Sequence, residues 1–334
     1  MKKSQRLAAV LLILLMLCGC SMPAAPNTVV LPQTPAENHT ESAPASAEPA
    51  QTTPETNAFH LEYEQTALPE PLSSVTALAM LEETLLLGGV SETGLALVRL
   101  TPEGRSEELP LPGSTEYLYA LCPDGAGGAW LLCGSLPKGY FDAFGNFRFL
   151  SQEPEGKLAL AHYDAAFALQ EIVLLQTLYT DRFFQLRRLD GGFCMMSASL
   201  LVRLDETGAE TARQSLDAKD GWSFAAMQET DGVLYALARN FYEIELPELR
   251  KFTPDTLSAL ESDVCTSEIT GLGLRADGRL LMGNSEELFA YDTGSGETET
   301  LVRWQEIGAN VLTEQPWELE DGYLLFSPGD TSLQ

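Results

Sequence analysis

From residue 75 onward one local pattern recurs along the chain: an apolar run of strand composition, a tight acidic turn, then a second apolar run. The turns Asp124-Gly125, Asp190-Gly191, Asp231-Gly232, Asp277-Gly278 and Asp321-Gly322 lead into the apolar runs 129–132, 193–196, 233–236, 279–282 and 323–326. Glu82-Glu83 before the run 84–87 is a first copy without the Asp-Gly step. Glycine accepts positive φ without steric cost, so an Asp-Gly step between apolar runs predicts a tight β-hairpin. A second turn interleaves with the first: 97–100 precedes Thr101-Pro102-Glu103-Gly104, and 160–163 precedes Asp164-Ala165-Ala166. Likewise 201–204 precedes Asp205-Glu206-Thr207-Gly208, and 288–291 precedes Asp292-Thr293-Gly294. Each unit therefore holds two hairpins, which is four strands.

Four-stranded units recurring about every 42 residues predict an all-β chain folded as a β-propeller of six four-stranded blades, the last incomplete. Blade starts fall near Val75, Tyr117, Phe183, Phe224, Ile269 and Val311. The one wide interval holds an insertion near 134–157 containing Tyr140, Phe141, Phe144, Phe147 and Phe149. Alternation of period two dominates 59–334, the expected propeller domain, and no helical period competes with it. Pro247 and Pro254 push the outer strands of the fourth unit toward an edge. The sixth unit supplies only two strands, in 311–327. Residues 59–66 alternate well enough to add one closing strand, which leaves that blade one strand short and points to an ancestral domain running past residue 334.

Ahead of the repeats the chain changes character twice. Lys2, Lys3 and Arg6 precede an eleven-residue apolar stretch, 7–17, too short to span a bilayer core that needs about 20 apolar residues. Leu17-Cys18-Gly19-Cys20 follows, and it resembles the lipobox of bacterial lipoproteins, with Leu three residues before the modified cysteine and Gly just before it. The resemblance implies a signal peptide over 1–19, diacylglycerol on the Cys20 sulfur, and a mature chain anchored to the cell membrane on its extracytoplasmic face. Residues 20–58 are rich in Pro, Ala, Thr and Glu and hold few side chains able to bury a face, so they predict a disordered tether. His39 lies within it.

The charge removes whole classes of function. With 20 Lys+Arg against 48 Asp+Glu the formal net charge is −28, which opposes nucleic-acid binding through phosphate contacts. It also opposes attachment to anionic lipid through a basic patch, so lipid on Cys20 is the expected membrane contact. Three histidines and no dense Cys/His cluster offer little to zinc, and no cofactor is expected.

The run 124–130, Asp-Gly-Ala-Gly-Gly-Ala-Trp, resembles the D-x-x-G-x-x-W turn and strand of many bacterial sensor and surface propellers. Residues 301–308, Leu-Val-Arg-Trp-Gln-Glu-Ile-Gly, followed by the hairpin at 320–324, are similar to a late blade of the large extracellular solute-binding lipoproteins of Clostridia-like Gram-positive bacteria. In that group a lipobox, a tether and a propeller-like region precede a two-lobed domain of an ABC importer; no alternating strand–helix pattern follows here. The resemblance implies a non-catalytic binding module of an ABC-importer solute-binding system. An envelope scaffold that mediates protein–protein assembly is the alternative expectation.

Candidate site residues are few. Tyr117, Trp222 and Trp317 are the candidate aromatic contacts for a sugar or peptide ligand, while Trp130 and Trp304 are expected to pack between blades. Cys122 and Cys133 flank one hairpin, so a cross-strand disulfide between them is a candidate in an exported protein. Cys194 and Cys265 read as small core hydrophobes. His60 and His162 lack a Cys, Ser or His partner in sequence and read as structural. There is no G-x-S-x-G and no calcium loop of EF-hand type, so no enzyme activity is expected.

Overall fold

The computed structural model describes residues 68–307, apart from 82–83, 102–103, 114, 136–156, 180, 217–220, 241–244 and 266. It also gives the backbone of short strands at 28–30, 65–66, 139–141, 147–149, 315–319 and 322–326. The strands form six four-stranded antiparallel sheets and one two-stranded ribbon. Two strands near the start, β1 (Thr28–Val30) and β2 (Gln65–Thr66), belong to the sixth sheet. Blade I is β3 (Leu72–Leu81), β4 (Thr84–Ser91), β5 (Gly94–Leu100) and β6 (Ser106–Leu109). Blade II begins with β7 (Tyr117–Pro123) and β8 (Ala129–Gly134), passes through the ribbon of β9 (Gly139–Phe141) and β10 (Phe147–Phe149), and ends with β11 (Leu158–Tyr163) and β12 (Leu169–Leu174). Blade III is β13 (Phe183–Leu189), β14 (Gly192–Ser197), β15 (Leu200–Asp205) and β16 (Glu210–Ser215). Blade IV is β17 (Trp222–Thr230), β18 (Val233–Asn240), β19 (Glu248–Phe252) and β20 (Asp263–Val264). Blade V is β21 (Ile269–Leu274), β22 (Leu280–Asn284), β23 (Glu287–Tyr291) and β24 (Thr298–Arg303). Blade VI runs β25 (Gln315–Leu319), β26 (Gly322–Phe326), β1, β2.

The propeller expected from the repeat is therefore the fold, with five blades drawn from consecutive chain and a sixth sheet assembled from both ends. Two details of closure differ from expectation. The strand that the sixth unit lacked is β1, which lies inside the segment read as a tether: Val29 pairs with Leu325 and Val30 with Leu324. Of the expected closing strand 59–66, only Gln65 and Thr66 form a strand, paired to β1 rather than to β26. Backbone hydrogen bonding decides this: β26 is left with an open edge that any short extended segment can satisfy.

The core lies between blades. One buried cluster joins Trp130, Leu132 and Leu160 of blade II to Phe183, Phe193 and Val202 of blade III. Equivalent clusters join blades I and II, III and IV, and IV and V. A middle strand is covered on both faces, so β14 (Gly-Phe-Cys-Met-Met-Ser) and β22 are buried at every position. Alternation survives on β16, where every second residue is exposed, whereas the outermost strands β6, β12 and β24 are largely exposed. The period-two reading thus describes one rim strand, and near-continuous apolar runs describe the middle of a blade.

The inner strands share one irregularity. A bulge puts a single unpaired residue at Thr76, Tyr119, Phe184, Ala225 and Thr270 in β3, β7, β13, β17 and β21. Each bulge adds local twist where the inner strand bends toward the axis. Side chains near it tie neighbouring blades: Thr76 Oγ1 donates to Leu118 O at 2.9 Å, and Met227 N donates to Gln185 Oε1 at 2.6 Å.

The disulfide expectation is corrected. Cys122 and Cys133 are both free and buried. In the β7–β8 register Cys122 lies opposite Trp130, whereas Cys133 lies opposite Leu118. Cys122 packs into the core between blades II and III and Cys133 into the core between blades I and II, so the two thiols point out of opposite faces of one sheet.

Candidate functional site

Each inner strand runs toward the same end of the propeller, where in blades II to V an Asp-Gly turn returns the chain to the second strand. Asp231 (φ 53°) and Gly232 (φ 71°) form such a turn with both central residues left-handed, the geometry for which Gly at the second position is suited. The third-to-fourth-strand turns lie at that end too. There Asp164 Oδ1 accepts from the backbone N–H of Ala166 and Ala168, at 2.9 and 3.0 Å. Asp205 Oδ1 does the same for Thr207 and Ala209, at 2.9 and 3.0 Å, and Asp292 Oδ1 for Gly294 and Ser295, at 2.9 and 2.8 Å. Backbone hydrogen bonds hold Asp292 below the usual carboxylate range, and for Asp205 the Thr207 hydroxyl and backbone N–H groups do so. These aspartates are turn-formers first, and their charge makes this face acidic.

The central channel opens on that face. A cavity of about 370 Å³ is bounded by Met80, Cys122, Arg187, Gln228, Leu272 and Pro316, one residue from the inner strand of each blade, with Pro123, Asp124, Arg188 and Leu274 at its mouth. Blades V and VI meet closely there: a Cβ on Gly273 would stand 2.0 Å from Pro316 O.

At the blade II side of the mouth, Asp124 closes a network. Its Oδ1 accepts from Ala126 N at 2.7 Å and Gly128 N at 2.8 Å, and its Oδ2 lies 2.9 Å from His162 Nε2. Burial pushes its pKa up, but the His162 bond and the two backbone bonds outweigh that and leave it below the usual value. The His162 ring stacks on Trp130 (centroids 4.4 Å, interplanar 15°), Trp130 meets Phe193 edge-on at 4.9 Å, and the Arg188 guanidinium lies 4.6 Å over Phe193. Arg188 Nη2 then pairs with Glu206 at 2.7 Å. Trp130 thus packs between blades as the sequence indicates.

Arg187 behaves differently. Its Nε donates to Met227 O of blade IV at 3.3 Å, and its terminal nitrogens have no hydrogen bond or ion pair among the described residues. Burial lowers its pKa. Beside it, the Cys122 thiol is pushed up to about 12 by burial, with Arg187 acting in the other direction.

The aromatic candidates are not brought together. Tyr117 and Trp222 begin β7 and β17, so they lie at the opposite end of the propeller, about 20 Å from the mouth at roughly 3.3 Å per strand residue, and in blades that are not adjacent. Tyr117 is 47% exposed and stands beside Tyr119, with ring centroids 6.0 Å apart. Trp222 is partly buried, packs on the core between blades III and IV, and carries Arg250 5.1 Å above its ring. Trp317 sits in β25 opposite Leu324. Cys20, His39 and His60 lie outside the described residues, as do the side chains of the 140–149 aromatics. What sequence reasoning missed is the channel set: Arg187, Gln228, Met80 and Leu272. The blade register gives the signal for it, because these are positions near the end of each inner strand, just before the turn. No group of three or more His, Cys, Asp or Glu able to hold a metal occurs among the described residues, and none of their helices is long and apolar enough to cross a membrane.

The fold and site together define a β-propeller with a ligand-sized axial cavity. No family model and no curated protein sequence matches the chain. It is similar in structure to a protein from Lactobacillus plantarum (15% identity, TM-score 0.43, covering 77% of this chain and 90% of that one). It is also similar to virginiamycin B lyase from Staphylococcus aureus (9%, TM-score 0.42, 75% and 94%) and to the β-propeller domain of Myceliophteria thermophila Cps50 (Swd1) (16%, TM-score 0.44, 66% and 67%). Those likenesses carry no functional argument. The propeller assignment rests on the sheet topology.

Proposed function

We propose that the chain is a lipid-anchored extracytoplasmic lipoprotein whose propeller is a non-catalytic binding module, taking a small solute at the channel mouth for an ABC-importer system. The observation that carries the binding reading is the cavity of about 370 Å³ to which all six inner strands contribute. Its size and its walls, mostly apolar with a few convergent polar groups, match those of small-ligand sites. The polar groups favour holding over reacting. Burial keeps the Cys122 thiol protonated, and the Asp124 carboxylate is already engaged by two backbone N–H groups and His162. Anchoring is supported by the lipobox-like Leu17–Cys20 segment, and the importer role by the order of lipobox, tether and propeller.

Two measurements test this. Membrane fractionation with a palmitate label compares the native chain with Cys20→Ser; label and membrane residence that survive the substitution would sink the anchor. A thermal-shift survey of sugars, amino acids and short peptides compares the native chain with Leu274→Trp, which fills the mouth. The binding reading expects a saturable shift that this variant loses, and fails if no compound shifts the native protein.

An envelope scaffold is the second reading, favoured by apolar side chains on the rim: Ile172 and Leu174 of β12 are 46% and 62% exposed, and Val264 of β20 is 67% exposed. Cross-linking in whole cells tests it, with Ile172→Lys/Leu174→Lys expected to remove a specific cross-linked envelope protein.

A further inference from the structure

Among the described residues most partly buried arginines of this acidic chain are paired. Arg188 pairs with Glu206 at 2.7 Å, Arg213 with Glu210 at 2.8 Å, and Arg279 with Asp277 at 2.8 Å. Arg203, 4% exposed, has no carboxylate, but its terminal nitrogens donate to the carbonyls of Asp190, Phe193 and Leu204. Arg187 has neither. Its single bond among the described residues, Nε to Met227 O, orients the guanidinium, and the residue lines the channel.

The arrangement around it is built rather than incidental. Gln185, two residues earlier on β13, accepts from Met227 N on its Oε1, so the two side chains clamp both backbone polar groups of one residue on the next blade. Gln185 is 3% exposed and its Nε2 has no partner among the described residues. A buried amide donor and a pre-oriented guanidinium fork therefore sit side by side on one strand without an acceptor. Removing a cation from water with no counter-charge is costly, and a bound carboxylate offsets that cost while matching the planar fork. The remaining wall is mostly apolar, with Met80, Leu272, Leu274 and Pro316, beside Gln228 and the already paired Asp124 and Arg188 at the mouth. Around the mouth stand the acidic turns at Asp124, Asp190, Asp231 and Asp277, and the whole chain carries −28, a field that opposes a second negative charge on the ligand.

We infer that Arg187 is an anion anchor in the channel mouth, and that the site takes a small monocarboxylate with an apolar tail. This deepens the binding reading above and rests on it.

Calorimetry and thermal shift on the full chain test the inference with 4-methylpentanoate and its neutral isostere 4-methylpentanamide. The carboxylate is expected to bind saturably and at least about tenfold more tightly than the amide. Arg187→Met is expected to lose that preference, Arg187→Lys to retain part of it, and Arg213→Gln, on the outer strand β16 and already paired with Glu210, to keep it. A native melting curve for Arg187→Met separates lost binding from lost fold. Equal binding of acid and amide, or unchanged acid binding in Arg187→Met, overturns the anchor. If acid and amide bind equally and Leu274→Trp abolishes both, the anchor falls while the binding module stands. If neither probe binds, the monocarboxylate assignment falls, and the wider survey of solutes against Leu274→Trp judges the binding reading separately.

Discussion

Asp124 Oδ2 lies 2.9 Å from His162 Nε2, and that one contact ties the turn after β7 to β11, two strands away in register across β8. The same carboxylate accepts from Ala126 and Gly128, so a single side chain shapes the turn and holds the histidine flat against Trp130. Asp124→Ala removes three hydrogen bonds at a largely buried point and is expected to cost about 2–3 kcal/mol at pH 7. Chemical denaturation checks this, with His162→Ala expected to cost less because the backbone bonds survive.

The pH dependence follows from the same group. Asp124 has a folded pKa below its ordinary value of 3.8, so its contribution is full above that value and is lost as pH falls through the lower, folded one. Asp205, Asp277 and Asp292 are lowered as well. Stability is therefore expected to be level from neutrality to about pH 5 and to fall steeply below pH 4. Asp124→Asn should flatten part of that fall in an acid titration followed by circular dichroism.

Gly273 marks the seam between blades V and VI. A Cβ there would meet Pro316 O at 2.0 Å, and backbone cannot yield as a flexible side chain can. Gly273→Ala is expected to loosen this seam before the rest of the propeller. Hydrogen exchange should rise first in 315–326, and uniform protection in the variant would count against the close approach.

The cysteines should be inert. Burial raises Cys122 to about 12, Cys194 to about 12, and Cys133 to about 11. A thiol reagent at pH 8 is expected to leave these three unmodified in the native state and to reach them in denaturant. A reducing agent should not change the melting temperature, since Cys122 and Cys133 are unbridged.

Two arginines on blade III make an opposed pair of predictions. Arg203→Met strips a donor from three backbone carbonyls and should cost about 2–4 kcal/mol. Arg187→Met removes an uncompensated cation with one weak bond and should leave stability equal or higher. Parallel urea melts of the two variants read the difference directly.

Residue order alone specifies the repeat. Asp-Gly steps at 124, 190, 231 and 277 follow inner strands as expected, because a tight turn is a local matter of φ and side-chain acceptors. It likewise placed the start of each blade within a few residues, and Trp130 between blades. Tertiary structure decided what no local rule reaches. Closure depends on which segment finds the open edge of β26, and β1 does so from inside a stretch whose composition argues against order. The cysteine pair failed because alternation along β7 and β8 sends two thiols near in sequence to opposite faces of one sheet. The channel was illegible for a similar reason: Met80, Cys122, Arg187, Gln228, Leu272 and Pro316 span 237 residues and become neighbours only when six strands converge on one axis. Arg187 looks in sequence like any other charge on an edge, and its lack of a counter-ion among the described residues is a property of that convergence alone.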